Sequence, residues 1–257
     1  MAKKRRFIDL SAPITNSSPD AINRMQITYA SHKETAQTLG KGFGLEPSDL
    51  PDGLLAAVEN VTLSTHSGTH VDAPWHFGPT SEGRPAKTID EVPLEWCFGD
   101  GVVLDLTHKT RGEGITVQDL QEALARIDYR LKPFDIVLIR TDTDKRYHEP
   151  NYENLHPGMT REATLWLIEQ GVKVMGIDAW GWDRPFDDMV QEYKEGKIKL
   201  VWEAHYAGKD REYCHIEKLA NLDRIPRPYG FTVAVFPVKV ERASAGWTRA
   251  VAIVEEE

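Results

Sequence analysis

Cysteine is scarce in this chain, and the two cysteines present do not form a motif. The 257 residues contain only Cys97 and Cys214, which stand alone rather than in a Cys-x-x-Cys pair. Two cysteines are too few for a disulfide framework in a chain of this length. A disulfide-stabilised scaffold is therefore excluded, and both cysteines are expected to be reduced thiols.

Long apolar runs and an excess of positive charge are also absent. No stretch approaches the roughly 18 apolar residues that span a bilayer, and the basic start meets Asp9 before an apolar run can form, so a cytoplasmic location is expected. The 31 Lys and Arg against 40 Asp and Glu give a net charge of −9. Neutralising phosphates requires clustered Lys and Arg. The expected partner is therefore a small molecule, with no nucleic acid and no membrane.

The composition is that of a globular protein, with 40% hydrophobic and 28% charged residues. Without repeats or a flexible linker, residues 1–257 are expected to form a single domain. Runs rich in β-branched residues predict strands at 58–63, 101–106, 134–140, 172–177 and 231–236. Apolar periodicity behind a Thr N-cap predicts helices at 116–127 and 160–170. The alternation favours a mixed α/β fold.

Residues 20–57 lack any regular pattern. They are interrupted by glycines and prolines, among them Gly40, Gly42, Gly44, Pro47 and Pro51. A long loop with a short helix is predicted here. Because loops of this length are usually functional or disordered, the segment is a hypothetical subunit interface or pocket lid.

Three of the nine histidines fall within eleven residues, in the run His66-Ser-Gly-Thr-His-Val-Asp-Ala-Pro-Trp-His76-Phe. Gly68, Val71 and Pro74 argue against a helix, so an extended backbone is predicted. Alternate residues of an extended chain share a face. Four polar side chains of equal parity would then point the same way: His66, His70, Asp72 and His76.

Imidazole and carboxylate suit Zn²⁺, Mn²⁺ or Fe²⁺. A catalytic ion needs about three protein ligands and an open position, and His66, His70 and Asp72 can supply such a set. The alternative is that these histidines are ordinary side chains satisfied by hydrogen bonds. A closed structural metal site in a binding protein is a further alternative.

The run from His66 to Phe77 resembles the signature of the metal-dependent cyclase family, which includes bacterial kynurenine formamidases and isatin hydrolases. Weaker similarity extends to residues 7–14, 176–178 and 248–251. The resemblance implies an α/β fold, a single-domain swivelling β/β/α fold with a mixed sheet, assembled as a homodimer or homotetramer.

Members resembling this chain place a His and a Glu twelve positions apart late in the sequence, and His205 and Glu217 have that separation. His215 competes with them for the ligand role, as do the carboxylates of Glu203 and Glu212. The resemblance implies that His66, His70 and Asp72 bind one metal, Zn or Mn. Asp72, His205 and Glu217 would hold a second ion or complete a single site.

The same resemblance implies that His76 is the proton donor and acceptor in the hydrolysis of an amide or cyclic amide. Trp75, Asp178 and Trp180 are the predicted substrate-binding residues, since aromatic rings beside a polar site could stack a planar substrate. Alternative reactions are a cyclisation or dehydration and the hydrolysis of a lactone. The chain departs from formamidases at residues 15–20, which lack an aromatic residue followed by Pro-Gly-Asp.

Overall fold

One large mixed sheet organises the molecule, and the computed structural model describes residues 4–16 and 22–256. The strands are β1 Lys4–Asp9, β2 Met25–Ala30, β3 Val58–Leu63, β4 His70–Asp72, β5 Thr80–Ser81, β6 Arg84–Pro85, β7 Phe98–Asp105, β8 Gly114–Ile115, β9 Ile136–Arg140, β10 Gly158–Met159, β11 Val174–Ile177, β12 Cys214–Glu217, β13 Phe231–Ala234, β14 Ala245–Trp247 and β15 Val251–Glu256. The helices are α1 His32–Gly42, α2 Pro74–Phe77, α3 Val117–Arg126, α4 Arg161–Glu169, α5 Phe186–Lys194 and α6 Glu203–Asp210. Short 3₁₀ turns connect several of these elements.

The large sheet has nine strands in the order β1-β15-β13-β7-β9-β11-β12-β4-β14. Its centre, from β7 through β9 and β11 to β12, is parallel. The flanking strands pair antiparallel, including β4 with β12 and β14 with β4. The mixed α/β fold with a mixed sheet is thereby confirmed. The single-domain boundary, 1–257, stays a prediction.

Both faces of the central strands are buried. In β9, Val137 and Ile139 pack with the core that α3 and α4 cover, whereas Ile136 and Leu138 face a second core. A strand buried on both faces has a continuous apolar sequence rather than an alternating one, which is why this strand was predictable. The second core also contains Ile8 of β1 and Val71 of β4, so the sheet curls until strands distant in the order share a core.

The predicted helices and strands are confirmed with small shifts at their ends. Thr116 caps α3 by accepting a hydrogen bond from the Asp119 N–H, and Thr160 caps α4 by accepting one from the Ala163 N–H. The strand predicted at 58–63 is β3, although within residues 4–16 and 22–256 it lies outside the large sheet and its partner is β2. Its β-branched sequence identified the strand but not its partner.

The prediction of a long loop with a short helix over residues 20–57 is correct for the helix but misses a strand. The segment contains β2, which pairs antiparallel with β3, and the eleven-residue helix α1. Ser31 and Glu34 form a capping box that starts α1 despite the glycines near its end. Residues 20 and 21, and residues 17–20 of the segment that departs from formamidases, lie outside the described residues.

Both cysteines are free thiols, and both are buried. The reduced state expected from the sequence therefore agrees with the structure. Among the residues that the structure describes, no helix combines the length and apolar composition needed to cross a bilayer.

Close packing of α6 against α2 depends on Gly208. A Cβ at this position would lie 2.1 Å from the Phe77 ring, and Phe77 is buried. Gly208→Ala should therefore lower the free energy of unfolding by about 1–3 kcal/mol, because overpacking forces the two helices apart. The matched control is Gly42→Ala, because a Cβ at Gly42 meets nothing within 4 Å. This substitution should raise the free energy of unfolding by about 0.5–1 kcal/mol. Urea unfolding measures both, and equal midpoints would contradict the packing argument.

Candidate metal centre

Two neighbouring strands bring four of the polar side chains together. β4 and β12 pair antiparallel, with His70 opposite Glu217 and Asp72 opposite His215. Alternate residues of a strand share a face, so the four side chains form one patch. All four residues are buried, at 0% exposure for His70, Asp72 and His215 and 6% for Glu217.

His66 and His76 reach this patch from either side of β4. The predicted extended backbone holds only for residues 70–72. Before them the chain turns at Gly68, whose φ is +61°. After them Pro74 starts the short helix α2, because its fixed φ suits the first helical position. The two histidines still converge: His66 Nδ1 lies 2.9 Å from Asp72 Oδ1, and His76 Nε2 lies 3.8 Å from Asp72 Oδ2.

His205 enters from α6 and is held by Asp183. The Asp183 carboxylate accepts hydrogen bonds from the backbone N–H groups of Ala204 and His205, at 2.8 and 2.9 Å. It also lies 2.5 Å from His205 Nδ1. The other ring nitrogen, Nε2, then faces the patch, 3.5 Å from Glu217 Oε1. This bonding pattern is typical of a metal-binding histidine oriented by a carboxylate.

These side chains form two overlapping groups that share Asp72. We call them together the cluster: His66, His70, Asp72, His76, His205, His215 and Glu217. One group comprises Asp72, His205, His215 and Glu217, and the other comprises His66, Asp72 and His76; within each, the ligand atoms lie within 4.8 Å of one another. His70 belongs to neither group, but its Nε2 lies 3.2 Å from Asp72 Oδ1 and 3.5 Å from Glu217 Oε2. The structure therefore brings together all the predicted metal-binding and proton-transfer residues. Their roles stay predictions.

Among the described residues, two buried atoms of the cluster make no hydrogen bond, His70 Nε2 and Asp72 Oδ1. The ring nitrogens His66 Nδ1 and His70 Nε2 lie 2.9 and 3.2 Å from Asp72 Oδ1 but are out of line for hydrogen bonds. His70 Nδ1 lies 2.9 Å from the Gly68 carbonyl oxygen, which can only accept, so Nδ1 carries the hydrogen and Nε2 presents its lone pair. Leaving buried polar atoms unsatisfied costs about 1–3 kcal/mol each. A cation that accepts nitrogen and oxygen ligands would satisfy both atoms, so the residues present fit a divalent metal ion.

The carboxylates of the cluster are held in the ionised form. Burial opposes ionisation of Asp72, but His76, His66 and His70 outweigh it and set its pKa well below the usual value. Burial likewise opposes ionisation of Glu217, and the hydrogen bond from His215 lowers its pKa. Burial disfavours the charged form of His215, yet its bonds to both carboxylates raise its pKa to about 9. Both carboxylates are therefore ionised, which is the form that binds a metal ion.

His76 and His66 lie at the accessible edge of the cluster, whereas His70, His205 and His215 are buried. The His76 side chain is 20% exposed. Its ring lies 4.1 Å from the His66 ring and meets the Trp202 ring edge-on at 5.2 Å. Burial lowers the pKa of His76 to about 3, although Asp72 opposes this shift. At neutral pH the imidazole is uncharged and can accept a proton.

The three predicted substrate residues lie in different surroundings. Trp180 lies beneath the Lys218 ammonium, 4.8 Å from its ring centroid, and its Nε1 is buried without a hydrogen-bond partner. Trp75 is 44% exposed. Asp178 is buried, and its carboxylate accepts hydrogen bonds from the Thr141 and Asp142 backbone, which fixes that loop. Burial raises the pKa of Asp178 to about 7.

Sequence reasoning missed several residues that complete the site. Trp202 stacks on the His205 ring at 4.1 Å, and the backbone N–H of Trp182 donates to Glu217 Oε1 at 2.8 Å. Neither residue has a sequence spacing that relates it to the histidine motif, and the same is true of Asp183. His215 did carry a signal, since it lies two positions before Glu217 and would share its face in a strand.

Comparisons with known proteins agree with this geometry. The sequence model of one protein family, putative cyclase, matches residues 8–184. Kynurenine formamidase of Erythrobacter litoralis is 29% identical over 228 residues, which cover 85% of this chain and 91% of that protein. Cyclase-like protein 1 of Arabidopsis thaliana is 30% identical over 148 residues, 56% of this chain and 54% of that protein. Isatin hydrolase A from Ralstonia solanacearum has a solved structure with a TM-score of 0.77 and 26% identity, covering 98% of this chain and 92% of that chain.

Proposed function

Because the chain belongs to the putative cyclase family, we propose that it is a metal-dependent hydrolase that cleaves the C–N bond of an amide or cyclic amide. An arylformamide or an isatin-like lactam is the substrate class. The observation that carries the proposal is the convergence of five buried or half-buried histidines on Asp72 and Glu217, with two orphaned polar atoms among them. Relatives named kynurenine formamidase and isatin hydrolase support the reaction class.

We assign the metal, Zn or Mn, to His66, His70 and Asp72, with His205 and Glu217 completing the coordination. Nitrogen and carboxylate ligands suit both metals. A bound divalent ion polarises a carbonyl group and lowers the pKa of water from 15.7 towards about 7. The orienting contacts belong to the chain itself: Asp183 fixes the His205 ring, and the Trp182 N–H fixes Glu217.

His76 performs the proton transfers. Its neutral imidazole takes a proton from the attacking water as the water adds to the amide carbon, and it returns that proton to the leaving nitrogen as the C–N bond breaks. His76 is uncharged at neutral pH and so starts in the proton-accepting form, while its low pKa makes the protonated ring a strong acid towards the leaving nitrogen. Trp202, edge-on to His76, provides an aromatic wall beside the reacting groups and helps to exclude water.

The test combines elemental analysis with a substrate screen. Purified protein should contain Zn or Mn and should hydrolyse aryl formamides or isatin-like lactams; dialysis against a chelator should abolish turnover, and restoring the ion should recover it. Full activity of the metal-free protein would contradict the proposal. Lactones and linear precursors belong in the same screen. Exclusive turnover of either would reassign the reaction to a lactonase or to a cyclase or dehydratase.

Asp183→Asn should weaken metal binding by about 10–100-fold, the usual effect of removing a carboxylate that orients a metal-binding histidine. The amide is nearly the same size, but it cannot hold the His205 ring with the same charge and hydrogen bonding. Calorimetric titration of the chelator-treated protein measures the change. Asp178→Asn is the matched control, because Asp178 is equally buried but bonds the loop at Thr141. Equal effects of the two substitutions would argue against an orienting role.

We also propose that the enzyme is a homodimer or homotetramer assembled through the β2–β3 ribbon. An isolated two-stranded ribbon is marginally stable in water, and Ile27 pairs with Val61 on the face that also carries Tyr29. Val61 is 48% exposed and Tyr29 63% exposed. The double substitution Tyr29→Glu with Val61→Glu should release monomers in light scattering. Lys33→Glu, an exposed change on α1, should leave the assembly intact.

A further inference from the structure

Lys218 is a buried lysine beside the cluster, in a backbone conformation that does not suit it. Only 1% of the residue is exposed, and lysines are almost never fully buried unless they are paired. Its φ is +56°, a region that glycine enters without strain and a lysine does not. The Lys218 N–H donates to the Ala179 carbonyl, which fixes this geometry at the end of β12. A strained, buried lysine at this position indicates that the side chain has a function.

The ammonium of Lys218 points at the metal-binding residues. Nζ donates to the His66 carbonyl oxygen at 3.2 Å and lies 4.0 Å from Glu217 Oε2. At the other end of the residue, the Lys218 carbonyl accepts a hydrogen bond from the Thr69 hydroxyl. Lys218 is thereby bound at both ends to the segment that carries His66 and His70.

The ligand arrangement alone would suit two ions. Asp72 turns Oδ1 towards His66 and His70, at 2.9 and 3.2 Å, and turns Oδ2 towards His215 and His205. Glu217 likewise turns Oε2 towards His70 and Oε1 towards His205, both at 3.5 Å. Two carboxylates that each face both halves of a cluster are the usual bridging ligands of a two-metal site.

The charges argue for one ion. The buried carboxylates of this region are Asp72, Asp183 and Glu217, with three negative charges. The imidazoles of the cluster add no negative charge, so one divalent ion and the Lys218 ammonium already neutralise these carboxylates, whereas a second divalent ion would leave at least two uncompensated positive charges in a buried site. Like charges a few ångströms apart repel strongly where water is excluded.

We propose that Lys218 is a built-in cation that takes the electrostatic place of a second metal ion and limits the cluster to one divalent ion per chain. This inference rests on the proposed function, because it takes the cluster to be a metal site. Lys218 is a positioning residue in this proposal: it acts through Glu217 and the His66 loop rather than on the substrate.

The test is metal stoichiometry rather than activity. The full chain is stripped with a chelator and titrated calorimetrically with Zn²⁺ or Mn²⁺ alone, and the ions retained after gel filtration are counted by elemental analysis. The wild-type protein should bind one ion per chain. Lys218→Met, which keeps the length but removes the charge, should bind two, with the second at least about tenfold tighter than any second ion in the wild type. Lys218→Arg should keep the charge and bind one.

Lys218→Gly provides a second neutral variant that tolerates the backbone conformation, so it remains informative if Lys218→Met does not fold. Two ions bound by the wild-type protein would overturn the inference and leave the proposed function intact. One ion in the wild type and in every neutral variant would also overturn it. No ion in any of them would contradict the proposed function itself, so the two failures are distinguishable.

Discussion

Asp72→Asn is expected to abolish both metal binding and turnover. Asp72 is the residue common to the two ligand groups of the cluster, and one of its oxygens is buried without a hydrogen-bond partner. An amide presents one weakly coordinating oxygen and places N–H donors where the second oxygen faced histidines. The affinity for the ion should fall by more than about 100-fold, because substituting a residue that merely orients a ligand already lowers metal affinity by up to about 100-fold. The hydrolysis rate should fall to the uncatalysed rate.

Elemental analysis of the bound ion and an assay of amide hydrolysis together test this prediction. Asp187→Asn is the control, since Asp187 is an exposed carboxylate in the first turn of α5 and should leave both quantities unchanged. Thermal unfolding with and without added ion separates lost binding from lost folding. A folded Asp72→Asn protein that keeps its ion and its rate would remove Asp72 from the metal site.

His76→Ala is expected to lose turnover while keeping the ion. His76 lies at the accessible edge of the cluster, and its Nε2 lies 3.8 Å from Asp72 Oδ2, whereas His66 Nδ1 lies 2.9 Å from Asp72 Oδ1. General acid–base catalysis by a positioned side chain contributes about 10²–10⁴-fold, so kcat should fall by that factor. KM should change little, because His76 moves protons in the transition state and does not hold the substrate.

Two further measurements distinguish a base from a ligand. Added imidazole should restore part of the activity of His76→Ala, and the metal content should equal that of the wild type. His148→Ala, which removes an exposed histidine far from the motif in sequence, should have no effect. Loss of the ion from His76→Ala would instead make His76 a ligand, as its membership in one ligand group permits.

The sequence predicted the elements whose signal is local. Val137 and Ile139 belong to an uninterrupted apolar run that could only be a buried strand or helix, and Thr116 marks a helix start by its own hydrogen bonding. The β2–β3 ribbon was half missed because its pairing joins residues on opposite sides of α1. Local patterns do not reveal such distant partners.

The site follows the same rule. The sequence revealed four polar residues of the site because they lie close together in the chain: His66, His70, Asp72 and His76. The single extended strand predicted to align them is confined to residues 70–72, and His76 lies in the helix α2. Asp183 and Trp202 meet His205 only after α6 has folded against the sheet. Their role beside His205 is evident from interatomic distances in the folded chain, whereas their positions in the sequence give no indication of it.

The position of β4 in the sheet also sets when the protein can acquire its ion. This short strand lies between β12 and β14, and both neighbours come from the last quarter of the chain. When only the histidine motif has left the ribosome, β12 and β14 have not yet been synthesised. The β4 segment then has no neighbouring strand to pair with, and Glu217 is absent. We expect nascent chains that end before β12 to bind Zn²⁺ no more tightly than a free peptide of residues 64–78. Ion binding should therefore follow the synthesis of β12 rather than accompany that of the histidine motif.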